Sequence, residues 1–241
     1  VARFGFTPAE IAREKADLLR AMETAYNERE KTESANFAEE YTENFLSGEP
    51  IPGVEFEYRV FREYIPGITV EEVNALAREL ITEKNRVVMA SGPEKSGVVM
   101  PSEASLRAVF DRVNAKTLTA YADSVSDKPL VPSIPKPGRV TTAKTIPEIG
   151  VTEWVLSNGI RVILKPTDFK NDEVQFAAWS PGGSSLAPDS LVVAAETAVT
   201  VVSESGFGAF GKVELEKKLA GKVVSGSYWI DDHREGLSGG P

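Results

Sequence analysis

The sequence predicts an α+β fold in two pieces joined by a proline-rich linker. Three features predict it. Between residues 7 and 113, apolar side chains recur mainly at steps of three and four, the period of helices. Residues 128–147 hold five prolines. Residues 151–230 then alternate β-branched runs with glycine turns and two helical patterns. Helices segregated from strands read as α+β, with an antiparallel sheet carrying helices on one face.

Thr7-Pro8-Ala9-Glu10 opens the first helix. Thr7 caps free N–H groups, Pro8 suits the first helical position and Glu10 completes a capping box. Ile11, Leu18, Leu19, Met22, Ala25 and Tyr26 follow on its apolar face, and Glu28-Arg29-Glu30-Lys31 breaks it. A second helix starts near Ser34, with Phe37, Tyr41 and Phe45 as one aromatic stripe, expected to be a core face. After the turn Gly48–Gly53, Phe56, Val60, Phe61 and Tyr64 mark a third helix, closed by Pro66-Gly67. Thr69-Val70-Glu71-Glu72 is another capping box, before a face of Val73, Leu76, Ala77 and Leu80. Arg86–Ser91 reads as a strand ended by Gly92-Pro93. Ser102 caps a helix whose face is Leu106, Val109, Phe110 and Val113.

Pro129, Pro132, Pro135, Pro137 and Pro147 then predict an extended, semi-rigid stretch. Thr152–Leu156 and Ile160–Leu164 flank Ser157-Asn158-Gly159, and Asn-Gly tolerates the positive φ of a tight hairpin. Val174–Ser180 is a further strand, and Pro181-Gly182-Gly183 turns the chain into Leu191–Val202. That apolar segment is a buried element whose β-branched content favours strand and whose length favours helix. Val213–Leu219 reads as a short helix and Lys222–Ile230 as a strand.

Composition narrows function. The 241 residues are 41% hydrophobic and 26% charged, ordinary for a globular protein. Twenty-seven Lys and Arg against 36 Asp and Glu leave a charge of −9, which argues against a nucleic-acid partner. With no cysteine, thiolate zinc sites, disulfides and cysteine nucleophiles are excluded. A serine triad would have to use the single histidine, His233, and no multi-histidine metal site can be built from this chain alone. Leu191–Val202, interrupted by Glu196, is shorter than the ~20 apolar residues of a membrane span. The start at Val1 and the finish at Gly239-Gly240-Pro241 lead us to expect an internal excerpt of a longer polypeptide.

Candidate chemistry is sparse. His233 lies in Asp231-Asp232-His233-Arg234-Glu235-Gly236, either a carboxylate-rich proton-transfer or metal site or a solvated turn. Successive residues do not converge on one metal, which favours the turn. Gly182-Gly183-Ser184-Ser185 could present N–H groups to an anion but lacks the spacing of a phosphate loop; Gly206-x-Gly208 is equally weak. Ser203–Gly208 contains no G-x-S-x-G elbow. Glu28–Lys31 and Glu39-Glu40 read as solvated helix faces. No catalytic, cofactor-binding or metal residue is assigned.

Two groups of motifs carry a family likeness. Gly5-Phe6-Thr7-Pro8-Ala9-Glu10-Ile11 leads to Ile68-Thr69-Val70-Glu71-Glu72-Val73 and Asn85-Arg86-Val87-Val88. Leu156-Ser157-Asn158-Gly159-Ile160-Arg161-Val162 leads to Pro181-Gly182-Gly183-Ser184. In this order and spacing they resemble the pitrilysin/insulinase family of zinc metallopeptidases, the inverzincins. The likeness implies two partial α/β modules of a clamshell: residues 1–115 the end of the first half, 116–150 the connection, and 151–241 the start of the second, non-catalytic half. It implies peptide or unfolded-polypeptide hydrolysis by zinc-activated water, with a glutamate as base. The family's H-x-x-E-H puts two histidines on one helix face. The equivalent helix here reads Leu191-Val192-Val193-Ala194-Ala195-Glu196-Thr197-Ala198-Val199, without histidine. Glu196 is therefore not carried over as the base, and zinc ligands are expected outside the chain, upstream of Val1.

The expectation is thus a non-catalytic portion of a zinc endopeptidase, supplying chamber wall and hinge, in a periplasmic or cell-envelope setting. An inert structural or paired subunit of the same architecture is the alternative. An unrelated binding module, using the aromatics of residues 37–64 as a partner groove, is the third.

Overall fold

A computed structural model describes residues 1, 3–80 and 84–241. Seven helices and two three-stranded antiparallel sheets are found among them, an α+β fold. The chain divides into two compact units, Val1–Ala12 with Gly67–Ser124, and Arg13–Pro66 with Val125–Pro241.

The first unit contains the start of α1 (Pro8–Asn27), with α4 (Val70–Leu80) and α5 (Glu103–Asn114). Both capping boxes form. The Thr7 N–H donates to Glu10 Oε2 at 2.7 Å and the Glu10 N–H donates to Thr7 Oγ1 at 3.2 Å. Thr69 and Glu72 repeat the exchange at 2.7 and 3.2 Å. Asn74 on α4 holds the segment before α1, accepting from the Phe6 N–H at 2.6 Å and donating to the Phe6 carbonyl at 3.1 Å. Arg3 donates to the Asn114 and Lys116 carbonyls at 2.7 and 3.0 Å, a cation at the C-terminal end of α5. The strand expected at Arg86–Ser91 does not form: the backbone there is irregular, and Val87 and Met89 are exposed. β-branched composition makes a strand only where a neighbour supplies a ladder.

In the second unit, α1 ends in a 3₁₀ turn at Arg29–Lys31, then come α2 (Ser34–Ser47) and α3 (Val54–Tyr64). The Tyr26 and Tyr58 rings stack at 4.4 Å, and the Arg29 guanidinium lies 4.4 Å over Tyr26 while pairing with Glu55 at 3.1 Å. The stripe expected to be core is instead on the surface: Phe37, Tyr41 and Phe45 are exposed, Phe45 at 86%.

The first sheet runs β1 (Val140–Ile146), β2 (Val151–Leu156), β3 (Arg161–Leu164). β1 occupies the last part of the proline-rich stretch; residues 116–139 form neither helix nor strand. The β2–β3 hairpin pairs Thr152 with Leu164 and Val155 with Arg161, and Gly159 takes φ +85° in its turn. The second sheet has the order β4–β6–β5, from β4 (Phe176–Pro181), β5 (Ser225–Ile230) and β6 (Arg234–Gly240). β6 lies at the centre although its Arg-Glu-Gly-Leu-Ser-Gly-Gly sequence carries no strand signal. The glycines answer to close approach: a Cβ on Gly236 would meet the Ala178 carbonyl and, at 2.6 Å, the Trp229 ring.

The apolar segment forms α6 (Val192–Ser205), a helix and not a strand, and α7 is Lys212–Leu219. The expected burial of α6 is not found: Val193, Val201 and Val202 are exposed. Among the described residues, no helix is long and apolar enough to cross a membrane.

The molecule leaves 18890 Å² accessible to solvent. A single globule of its mass exposes about 10,600 Å², and two separate globules of its two units about 12,500 Å². Among the described residues Phe210 is the buried hydrophobic side chain, at 3% exposure. The apolar faces drawn by the sequence thus remain largely uncovered.

Gly236→Ala is expected to destabilise the chain by ~1–3 kcal/mol through overpacking. Gly226→Ala, where a Cβ meets nothing within 4 Å, should stay within ~0.5 kcal/mol. Urea denaturation of the two variants checks the contrast.

Candidate functional site

The two loops weighed separately in the sequence come together. β4 runs out through Gly182 and Gly183, and β5 turns into β6 through Asp231-Asp232-His233. The Gly182 N–H donates to the His233 carbonyl at 3.0 Å, Ser184 N–H to Asp231 O at 2.9 Å, and Ser185 N–H to Asp232 O at 3.0 Å. Gly183 makes this approach possible. Its φ is +96°, and a Cβ there would lie 2.5 Å from the Asp231 carbonyl oxygen.

Side chains close the junction. Ser184 is buried, and its hydroxyl donates to Asp232 Oδ1 at 3.5 Å. Ser185 Oγ lies 3.3 Å from His233 Nδ1. Asp231 Oδ1 accepts from the His233 and Arg234 N–H groups at 2.8 and 2.6 Å, and Oδ2 from Arg234 Nε at 3.2 Å. Hydrogen bonding from the His233 N–H, joined by the smaller contributions of Arg234, outweighs desolvation and holds the Asp231 carboxyl below its ordinary pKa.

This constellation is an Asx-type turn packed on a glycine turn, not a nucleophile relay. Asp231 serves the backbone and Arg234, while Asp232 serves Ser184. Among the described residues no carboxylate oxygen bonds the His233 ring, so the orienting third member of a triad is missing. The N–H groups of Gly182, Ser184 and Ser185 are spent on carbonyls, so the loop offers none of them to an anion.

A zinc ion fits none of this. Among the described residues no three His, Asp or Glu side chains come together to hold a metal. On α6, Glu196 is exposed and has no histidine on its helix. Beside α6 and α7, an apolar cleft of about 570 Å³ opens over the second sheet, lined among others by Phe176, Phe207, Leu215, Leu219, Tyr228 and Leu237.

Sequence reading took Glu28 for a solvated face, and here the structure corrects it. Glu28 is 8% exposed, and its Oε1 accepts from the Asn171 and Asp172 N–H groups at 2.6 and 3.1 Å. Asn171 Nδ2 returns a bond to the Asn27 carbonyl at 2.8 Å, and Arg20 pairs with Asp172 at 3.4 Å. The end of α1 thereby clamps the loop between β3 and β4. Its only signal in sequence was a carboxylate at a helix end beside a break.

No family model matches this chain. A protein of Arabidopsis thaliana named zinc protease PQQL-like is 30% identical over 220 residues, which is 90% of this chain and 23% of that protein. The probable zinc protease PqqL of Haemophilus influenzae is 20% identical over 235 residues, 98% of this chain and 25% of that protein. The chain therefore spans about a quarter of the length of these curated relatives. Two solved structures align with it. The periplasmic protease PqqL from Escherichia coli does so over 98% of this chain and 26% of its own, at 22% identity and TM-score 0.45. The ferredoxin protease FusC, in complex with Arabidopsis ferredoxin, does so over 99% and 27%, at 21% identity and TM-score 0.46.

Two outcomes are expected. Glu28→Ala removes the charged acceptor of two part-buried hydrogen bonds from the Asn171 and Asp172 N–H groups and should cost ~1–3 kcal/mol, with faster amide hydrogen exchange at both. Because the Asp231 carboxyl is held low, its stabilising effect is complete above the ordinary value near 4 and fades as pH falls toward its folded value. The difference in Tm between the native chain and Asp231→Ala should be constant from about pH 5 to 7 and shrink below about pH 4; a difference that grows in acid contradicts this.

Proposed function

This chain is homologous to zinc proteases of the pitrilysin/insulinase family, and from that premise we propose that it is the non-catalytic middle of a zinc-dependent endopeptidase. The observation that carries the reading is the 30% identity to a zinc protease over 90% of this chain but only 23% of the relative. The surface excess supports it, since faces built to be covered stand open. In this reading residues 1–115 close the first half of a clamshell, 116–150 connect, and 151–241 begin the second half. The chain supplies wall and hinge, and its apolar cleft faces the enclosed space. Peptides or unfolded polypeptides are the substrates, and a cell-envelope or periplasmic setting belongs to the same proposal.

The zinc and its glutamate base come from the preceding part of the parent polypeptide. When bound, the ion supplies an activated water. The residues present here orient and enclose. An inert partner subunit of the same architecture is the second reading; a histidine-free α6 fits both, and the upstream sequence discriminates them.

The test is the parent reading frame and its product. H-x-x-E-H upstream of Val1, with cleavage of an unfolded polypeptide that a chelator abolishes and zinc restores, is the expected result. A parent without that motif and without cleavage leaves the inert-subunit reading. The 241-residue chain alone should hold no stoichiometric zinc by elemental analysis and cleave no peptide; tight zinc in it contradicts the proposal.

A further inference from the structure

The aromatic stripe of α2 is unexplained by the fold around it. Phe37, Tyr41 and Phe45 repeat every four residues along about 12 Å of helix and are exposed. Glu40, three residues after Phe37, lies beside the stripe, and Glu39 and Glu43 carry the acidic surface on round the helix. From Thr32 to Tyr58 the chain has seven glutamates and no lysine or arginine. A solvated helix face has no use for three aligned aromatic rings, and a core face has no use for an unrelieved acidic border. The combination fits a partner surface that is apolar at its centre and cationic at its rim, since buried carboxylates left without counter-charge oppose docking.

We infer that this face of α2 is an intramolecular seam, docked in the parent protein onto a lysine- or arginine-rimmed apolar surface elsewhere in the same polypeptide. The inference rests on the reading of the chain as part of a longer protein. Three observations choose that occupant. The chain exposes roughly 6,000 Å² more than two separate globules of its units would. Its curated relatives are about four times its length. The acidic border selects a basic surface over a second copy of α2, which would set glutamate against glutamate.

The absence of native cysteine in this chain makes the test direct. Ala38→Cys places a thiol beside the stripe, one turn from Tyr41, and Glu39→Cys places one on the opposite side of α2. Reaction with a charged maleimide is followed at each site by mass spectrometry, in the 241-residue chain and in the full-length parent. The Ala38→Cys thiol should react at least about tenfold more slowly in the parent, and the Glu39→Cys thiol at similar rates in both. Adding Glu40→Lys to the parent should restore most of the lost reactivity. Equal rates for Ala38→Cys in both proteins overturn the seam. So does protection that disappears on dilution, which assigns the face to a second copy or a separate protein, and so does protection indifferent to Glu40→Lys. Zinc content and polypeptide cleavage of the same parent are read separately. An active zinc enzyme with an unprotected Ala38→Cys loses only the seam; a protected but zinc-free, inert parent loses only the peptidase.

Discussion

Three backbone hydrogen bonds, from Gly182, Ser184 and Ser185 to the turn at residues 231–233, are the constraint on which the second sheet depends. They form only because Gly183 has no side chain and accepts a φ of +96°. With that residue in place, the exit of β4 is tied to the β5–β6 turn, so both edge strands meet the central one in a single register. The same bonds set where the chain leaves for α6. Asp231 then orders the turn from within by accepting from two successive N–H groups. The features most suggestive of chemistry in the sequence, a glycine-serine loop and a histidine among carboxylates, are thus absorbed in holding one corner of the fold.

Much of the local structure was legible, and for identifiable reasons. Thr7 with Glu10, Thr69 with Glu72, and Ser102 announce helix starts because a capping side chain must satisfy N–H groups a fixed number of residues ahead. Asn158-Gly159 announces the hairpin because few residue pairs tolerate its turn. What failed depends on distant partners. Arg86–Ser91 has the composition of a strand and, among the described residues, no ladder to join. β6 has a ladder and no composition, since its glycines are chosen by the Trp229 and Phe176 rings that lie against them. Burial of the Phe37–Phe45 face was read from periodicity and that of Leu191–Val202 from its apolar run, and both say that a surface is apolar but not that anything covers it. Glu28 was misread for the converse reason: its partners lie more than a hundred residues away.

The same distinction separates family from function. Order and spacing of weak motifs sufficed for the kinship, because several of them mark a structural necessity such as the Thr7–Glu10 and Thr69–Glu72 capping boxes or the Gly183 corner. Zinc chemistry of the H-x-x-E-H kind needs a specific pair of imidazoles, and α6 carries none.

The central position of β6 has a consequence for biosynthesis. It is the last of the three strands of this sheet to leave the ribosome, yet among the described residues β4 and β5 both pair with it and not with each other. At ~5–20 residues per second, β4 waits roughly 3–13 s between its own emergence and that of its neighbour. Through that interval its aromatic Phe176 and Trp179 and its unpaired amides are open to other nascent chains, so the cell must shield this stretch during translation or tolerate its misassembly.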